Sequence, residues 1–239
     1  MNRWELDIPF TSFGAVTSDD LFAEKEQELF RFYAEAGKVG RYRKVLDIGA
    51  NIGVHTILMA RQGWHVSAIE PDPDHYNLCV GNVSRNLGGL RNVVVTLAAV
   101  SDHAGRETFV RVKGNTTGSH LKGDKQPYGD LEEFTVQVVD CRKLFYKYDF
   151  AKIDCEGHEA RLLCTVPNSL KTEFMVEVGS FANADAIFNH FRMMSTYRMW
   201  TQQSSWCEVA DLSDMPMHHS HGALFIGKNP PFDMNFSEA

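Results

Sequence analysis

The hydrophobic positions of this chain change period several times, and each change marks an element. Leu21, Phe22, Leu29, Phe30 and Tyr33 recur at helical spacing behind a Ser18 or Asp19 cap. They predict a helix over 19–36 that either completes the core or also covers a ligand. Val45, Leu46 and Ile48 predict a buried strand, and Ile57, Leu58 and Ala60 a short helix over 54–61. A second strand, 66–69, ends at Glu70. Pro71-Asp72-Pro73-Asp74 then opens a helix reaching Leu87, with Tyr76, Leu78, Val80 and Val83 as candidate buried positions and Gly88-Gly89 as its stop. Residues 93–100 are apolar on both faces, as an inner parallel strand requires.

Further on, Thr108, Val110 and Val112 alternate with Phe109 and Arg111, and 134–139 repeat the strand pattern. The polar segment 113–133 between them is either an ordinary loop or one that contacts a ligand. Strands at 150–153, 174–178 and 223–227, helices at 160–166 and 183–195, and a strand or hairpin region at 197–209 complete the pattern, without an internal repeat. Strands alternating with helices predict an α/β fold. A chain of 239 residues suits one well-buried domain. We expect a helical segment packing on the core at 1–43, the domain itself at 44–229 and an irregular tail at 230–239.

Gly49-Ala50-Asn51-Ile52-Gly53 links the first strand to its helix, as in nucleotide-binding sheets. A GxGxxG fingerprint laid from Gly49 requires glycine where Asn51 and Val54 stand, and a phosphate loop requires Gly-Lys-hydroxyl where Val54, His55 and Thr56 stand. Asp47, just before the loop, repels a pyrophosphate and favours a cationic ligand. S-adenosylmethionine has that sign, carrying an ammonium and a sulfonium. Glu70 falls about twenty residues after the first glycine, where an acidic side chain reaches ribose hydroxyls. Small Ala98 and Ala99 allow an adenine to lie against the backbone, and the amides that open the 54–61 helix suit the ligand's carboxylate. His55, at that helix start, is either a contact or simply exposed.

Together, Asp47-Ile48-Gly49-Ala50-Asn51-Ile52-Gly53 and Ile69-Glu70-Pro71-Asp72 resemble the first two motifs of class I S-adenosylmethionine-dependent methyltransferases. Lys152-Ile153-Asp154-Cys155-Glu156-Gly157-His158-Glu159 is similar to the K-I-D-x-E-G-x-E signature of the FkbM family. The resemblance covers about residues 44–180, and three ordered motifs are more specific than one glycine loop. It implies a single-domain, Rossmann-like fold with a mostly parallel seven-stranded sheet, helices on both faces and an inserted β segment. S-adenosylmethionine would be held by Asp47, Gly49, Ala50, Asn51, Gly53, Thr56, Glu70, Pro71, Ala98, Ala99 and Asp154. The implied reaction is methyl transfer to a hydroxyl oxygen of a small molecule, a sugar or other polyhydroxylated metabolite, with Ser119 at a matching acceptor position.

Asp154, Glu156 and His158 are the candidate catalytic residues, since ligands bind at the carboxyl ends of strands in open α/β sheets. The two carboxylates bind acceptor hydroxyls, accept a proton or cap the next helix. His158 is either a base or a solvated helix residue. Glu177, in an apolar run, is costly to bury unless paired, and is a candidate for acceptor binding. A divalent ion on Asp154, Glu156 and Glu177 is a further reading, not adopted because such sites need several converging oxygens. Zinc on His218, His219, His221 and Cys207 lacks a second spaced ligand pair.

A net charge of −7 with dispersed acidic residues argues against nucleic acid as partner. Five scattered cysteines, an N-terminus without an apolar leader core and the absence of a membrane-length apolar run predict a cytoplasmic protein with reduced thiols. The glycosylation triplets at Asn82, Asn115 and Asn235 then read as chance. A homo-oligomer stays open. The rival functions are an NAD-dependent oxidoreductase, which shares the strand, loop and Glu70, and a non-catalytic S-adenosylmethionine-binding protein.

Overall fold

A computed structural model describes residues 4–126 and 128–232. The Asn235 triplet and 233–239 of the expected tail lie outside the described residues. A 3-10 turn at Asp20–Phe22 precedes helix α1 (Glu24–Lys38), which begins after Ala23 rather than at the expected cap. Here Asp20 folds the preceding turn, its carboxylate accepting from the amide and hydroxyl of Thr17. There follow β1 (Lys44–Ile48), α2 (Val54–Arg61), β2 (His65–Glu70), α3 (Pro73–Leu87) and β3 (Val93–Leu97). An inserted region holds β4 (Ala99–Ser101), β5 (Gly105–Val112), β6 (His120–Leu121) and β7 (Leu131–Asp140). The remaining elements are α4 (Cys141–Phe145), β8 (Phe150–Ile153), α5 (Glu159–Leu163), β9 (Glu173–Glu177), α6 (Phe181–Phe191), β10 (Arg198–Thr201), β11 (Cys207–Glu208) and β12 (Ala223–Gly227).

The main sheet has eight strands in the order β11-β10-β12-β9-β8-β1-β2-β3. Pairing is parallel from β9 to β3, whereas β12 runs antiparallel to β9 and β10, and β11 antiparallel to β10. The α/β fold is as expected, but the sheet is mixed and has one strand more than seven. The extra strand forms because the chain turns back after Thr201 and sets Cys207 opposite it. Alternation sends successive side chains to opposite faces. Val45, Phe150, Met175 and Phe225 pack with α1, α2 and α3, while Leu46, Ala151, Val176 and Ile226 pack with α5 and α6.

Two expectations change. Residues 93–100 do not form one inner strand: β3 is the edge of the main sheet, with Val94 62% exposed, and β4 pairs with β7 in a separate sheet of order β4-β7-β5-β6. The backbone changes sheet between them, at Ala98. In α3 the buried positions are His75, Cys79, Asn82 and Val83, so of the four expected only Val83 is fully covered. The helix is turned so that Asn82 donates to the Ile52 carbonyl at 2.9 Å and Cys79 lies against Gly53. Arg111 ties the inserted sheet to the start of α3 through a two-point bond to Asp72, at 2.7 and 2.6 Å. All five cysteines are free thiols, and no helix among the described residues is long and apolar enough to cross a membrane.

Candidate active site

A cavity of about 500 Å³ opens at the carboxyl ends of β1, β2, β8 and β9, roofed by α1 and the inserted sheet. Its size falls in the range of small-molecule sites. Gly49, Ala50, Asn51, Glu70, Pro71, Ala98, Ala99, Ser119, Asp154, Glu156, His158 and Glu177 all line it. Asp47, Gly53 and Thr56 do not. Alternation along β1 turns Asp47 toward α2, where it is fully buried and its Oδ2 accepts the Thr56 hydroxyl at 2.5 Å. These three residues stand behind the loop, off the cavity lining.

Gly49 has a positive φ of 74°, and a Cβ there would stand 1.8 Å from the Asp154 carbonyl oxygen. Glycine is required because the loops after β1 and β8 touch. Asn51 adopts a left-handed φ of 51°, and its amide donates to Glu70 Oε2 at 2.8 Å. Glu70 Oε1 accepts from the Asp72 amide at 2.9 Å. Burial dominates over these bonds and raises the Glu70 carboxyl to about 7.

Beyond the loop, Lys152 is buried under α1, with Nζ 3.1 Å from Asp154 Oδ2 and 4.0 Å from Asp47 Oδ1. Burial alone would depress its ammonium, but Asp154, Asp47 and Glu26 outweigh it and the pKa rises. Burial likewise pushes Asp154 upward, yet the Lys152 charge and hydrogen bond overcome it and hold the carboxyl below its ordinary value. Glu177 pairs with Lys25 of α1 at 3.0 Å, but burial and the Asp154 charge raise it to about 8. Glu156 pairs with Lys125 of the inserted loop and is raised to about 7, chiefly by burial.

His158 lines the cavity but is not solvated. It is 1% exposed, its Nδ1 faces the Asp124 carboxylate at 2.9 Å and its Nε2 faces Ser101 Oγ at 3.0 Å. Both ring nitrogens are engaged by the protein, so the residue clamps the inserted loop to the β8 loop. Ser119 also spends its hydroxyl internally, donating to the Thr116 carbonyl at 2.8 Å and accepting from the Val112 amide at 3.2 Å. Neither Asp154 nor Glu156 caps α5. Glu159 organises that turn, accepting from the amides of Cys155 and Gly157 and from Asn183.

A model of the FkbM methyltransferase domain matches residues 47–201. The chain belongs to the FkbM methyltransferase family. The hexuronic acid methyltransferase AglP of Haloferax volcanii is 26% identical over 163 residues, covering 67% of this chain and 64% of that protein. This chain therefore spans less than two thirds of that relative. Among solved structures, an FkbM methyltransferase from Methylobacillus flagellatus shares 16% identity, with a TM-score of 0.46 over 77% of this chain and 43% of its own. The human methyltransferase 10 domain containing protein shares 14%, with a TM-score of 0.48 over 93% and 87%. The family match removes the NAD-dependent oxidoreductase as an alternative.

FkbM membership implies S-adenosylmethionine as methyl donor, and the cavity suits it. Asn51 Oδ1 is buried at the cavity wall without a hydrogen-bond partner, as expected of an acceptor awaiting a ligand donor. Glu70, Ala98 and Ala99 line the same cavity. Sequence reasoning missed Lys25, Glu26 and Lys125, because nothing local links α1 or the inserted loop to the strand ends. Lys152 carried a readable signal: a lysine within the apolar run 150–153 needs buried counter-ions. The histidine-rich turn shows no metal geometry: His218 Nδ1 meets Ser220, and His221 Nδ1 accepts the Met217 amide. No group of three potential metal ligands occurs among the described residues.

Proposed function

We propose that this FkbM protein is an enzyme that methylates a hydroxyl oxygen of a small polyhydroxylated acceptor, a sugar or sugar acid, using S-adenosylmethionine. The observation that carries the reading is the split between two carboxyl groups on one cavity wall. Asp154 is held charged by Lys152, while Glu177 is raised to about 8. Such a pair offers an acceptor and a donor to neighbouring hydroxyls at neutral pH. The name of the Haloferax relative, a hexuronic acid methyltransferase, supports a sugar-derived acceptor.

When bound, S-adenosylmethionine supplies a methyl group already activated by its sulfonium leaving group. The protein's task is then largely orientation. Asp154 accepts the hydroxyl proton as the oxygen becomes a nucleophile, and Lys152 fixes that carboxylate in its charged form. Glu177 and Glu156 bind adjacent hydroxyls. The inserted loop, tied down through Asp124 and Lys125, limits water at the same wall.

The test is incubation with methyl-labelled S-adenosylmethionine and a panel of glycosides, uronates and primary amines. Label in an ether-linked methyl of a sugar product supports the reading, and an Asp154→Asn variant should lose that product while still binding S-adenosylhomocysteine. Label in amines alone overturns the oxygen acceptor. Binding of the donor with no product from any acceptor class favours a non-catalytic binding protein.

A further inference from the structure

Seven carboxylates line the cavity: Asp20, Glu26, Glu70, Asp154, Glu156, Glu159 and Glu177. Three of them accept a hydrogen bond from a lysine, in the pairs Asp154–Lys152, Glu156–Lys125 and Glu177–Lys25. Asp20 accepts from Thr17, Glu70 from the Asn51 and Asp72 amides, and Glu159 from the amides of its own turn. Glu26 differs from all of these. Its Oε2 lies 3.2 Å from His55 Nε2, while its Oε1 is 3.8 Å from Lys25 Nζ, beyond hydrogen-bond distance.

The histidine is itself held. His55 Nδ1 lies 3.0 Å from the hydroxyl of Tyr33, a fully buried side chain of α1. Burial raises the Tyr33 phenol well above its ordinary range, so it stays a neutral donor and Nδ1 is its acceptor. Nε2 then carries the proton and donates to Glu26. The carboxylate is thus oriented from α1 and α2 together, with Oε2 on His55, Oε1 in a looser ion pair with Lys25, and the residue on the cavity lining.

Its place in the cavity indicates what it meets. From β3 to β8, the wall presents Ala98 and Ala99, then Glu70, then the Gly49–Asn51 turn, and then Lys152 and Asp154. A donor with its adenine at the first and its ribose at the second places its amino-acid tail past the glycine turn. There α2 begins and His55 joins the wall. The positive end of α2 favours the tail's carboxylate. A charged acidic group beside it completes a receptor for a zwitterion.

We infer that Glu26 is the counter-ion of the α-ammonium in the donor's amino-acid tail, and that His55 and Tyr33 are the positioning residues that aim it. Glu26 precedes the residues matched by the family model, 47–201, so that match assigns it no role. The inference rests on the donor assignment above but not on the nature of the acceptor.

Calorimetry on the full chain tests it with two probes, S-adenosylhomocysteine, which has the tail, and 5′-methylthioadenosine, which lacks it. Loss of a hydrogen-bonded charge should weaken S-adenosylhomocysteine by roughly tenfold to a hundredfold in Glu26→Gln. Binding of 5′-methylthioadenosine should stay unchanged, which also shows that the variant is folded. His55→Gln should show the same selectivity with a smaller loss. Equal weakening of both probes, or of neither, overturns the inference. A wild-type chain that binds neither probe overturns the donor assignment itself.

Discussion

Lys152 Nζ and Asp154 Oδ2 stand 3.1 Å apart at the end of β8, and the ammonium is almost wholly removed from solvent. Breaking a fully buried pair costs about 3–5 kcal/mol; Asp154 keeps 30% of its side chain exposed, so the loss here falls toward or below the lower end. Lys152→Met should therefore destabilise the fold, measurable by urea unfolding. The lysine also keeps Asp154 below its ordinary pKa against the pull of burial. In the wild type, that ionised form contributes stability above the unfolded-state pKa of the carboxyl, and the contribution is lost as pH falls through the lower folded value. In the variant, burial acts unopposed by Lys152. The acid limb of kcat/KM should move toward neutral pH.

Glu70 has the opposite sign. Its folded pKa of about 7 lies above the ordinary 4.5, so folding favours the protonated form. Its contribution is fully present below pH 4.5 and is lost as pH rises through 7, a swing of about 3 kcal/mol. The stability of Glu70→Gln relative to wild type should rise with pH across that window. Unfolding free energies measured at pH 5 and pH 8 check this, and a constant difference between the two proteins would contradict it.

Much of this was legible in the chain because it was local. The glycine turn, Glu70 at a strand end and the acidic run after β8 are spaced by elements whose periods are visible. Three differences between the sequence pattern and the structure share a different cause. Residues 93–100 look like one strand because hydrophobicity cannot show where a backbone leaves one sheet for another. His158 looks solvent-facing because its partners, Asp124 and Ser101, come from an insertion and from another strand. Asp47 and Thr56 lie off the cavity lining, which the sequence does not show because motif position does not say which face of its element a side chain takes. Lys25 and Glu26 reach the cavity only through packing of α1 over the strand ends.

Gly49 and Gly63 separate two reasons for glycine. Both have positive φ, 74° and 82°, but a Cβ at Gly63 meets nothing within 4 Å, whereas at Gly49 it would overlap the Asp154 carbonyl. Gly63→Ala should cost about 1 kcal/mol, the conformational penalty alone. Gly49→Ala must also push the β1 and β8 loops apart. It should lower Tm much further and abolish binding of S-adenosylhomocysteine. Equal Tm losses in the two variants would show that the loop contact is unimportant.

The inserted loop reaches the β8 loop through two side-chain contacts, the Asp124–His158 hydrogen bond and the Lys125–Glu156 ion pair. The first is the better shielded: His158 is buried and Asp124 15% exposed, against 38% and 30% for the second pair. Exposed ion pairs contribute little, so most of the tether's strength should reside in Asp124. Asp124→Ala should free the segment that carries Lys122 and Lys125. Trypsin should then cut there faster by about tenfold, the change produced by a 1.4 kcal/mol shift in local opening. Glu156→Gln should change that rate much less. If the variants are cut at the same rate, the clamp through His158 is not what holds the loop over the site.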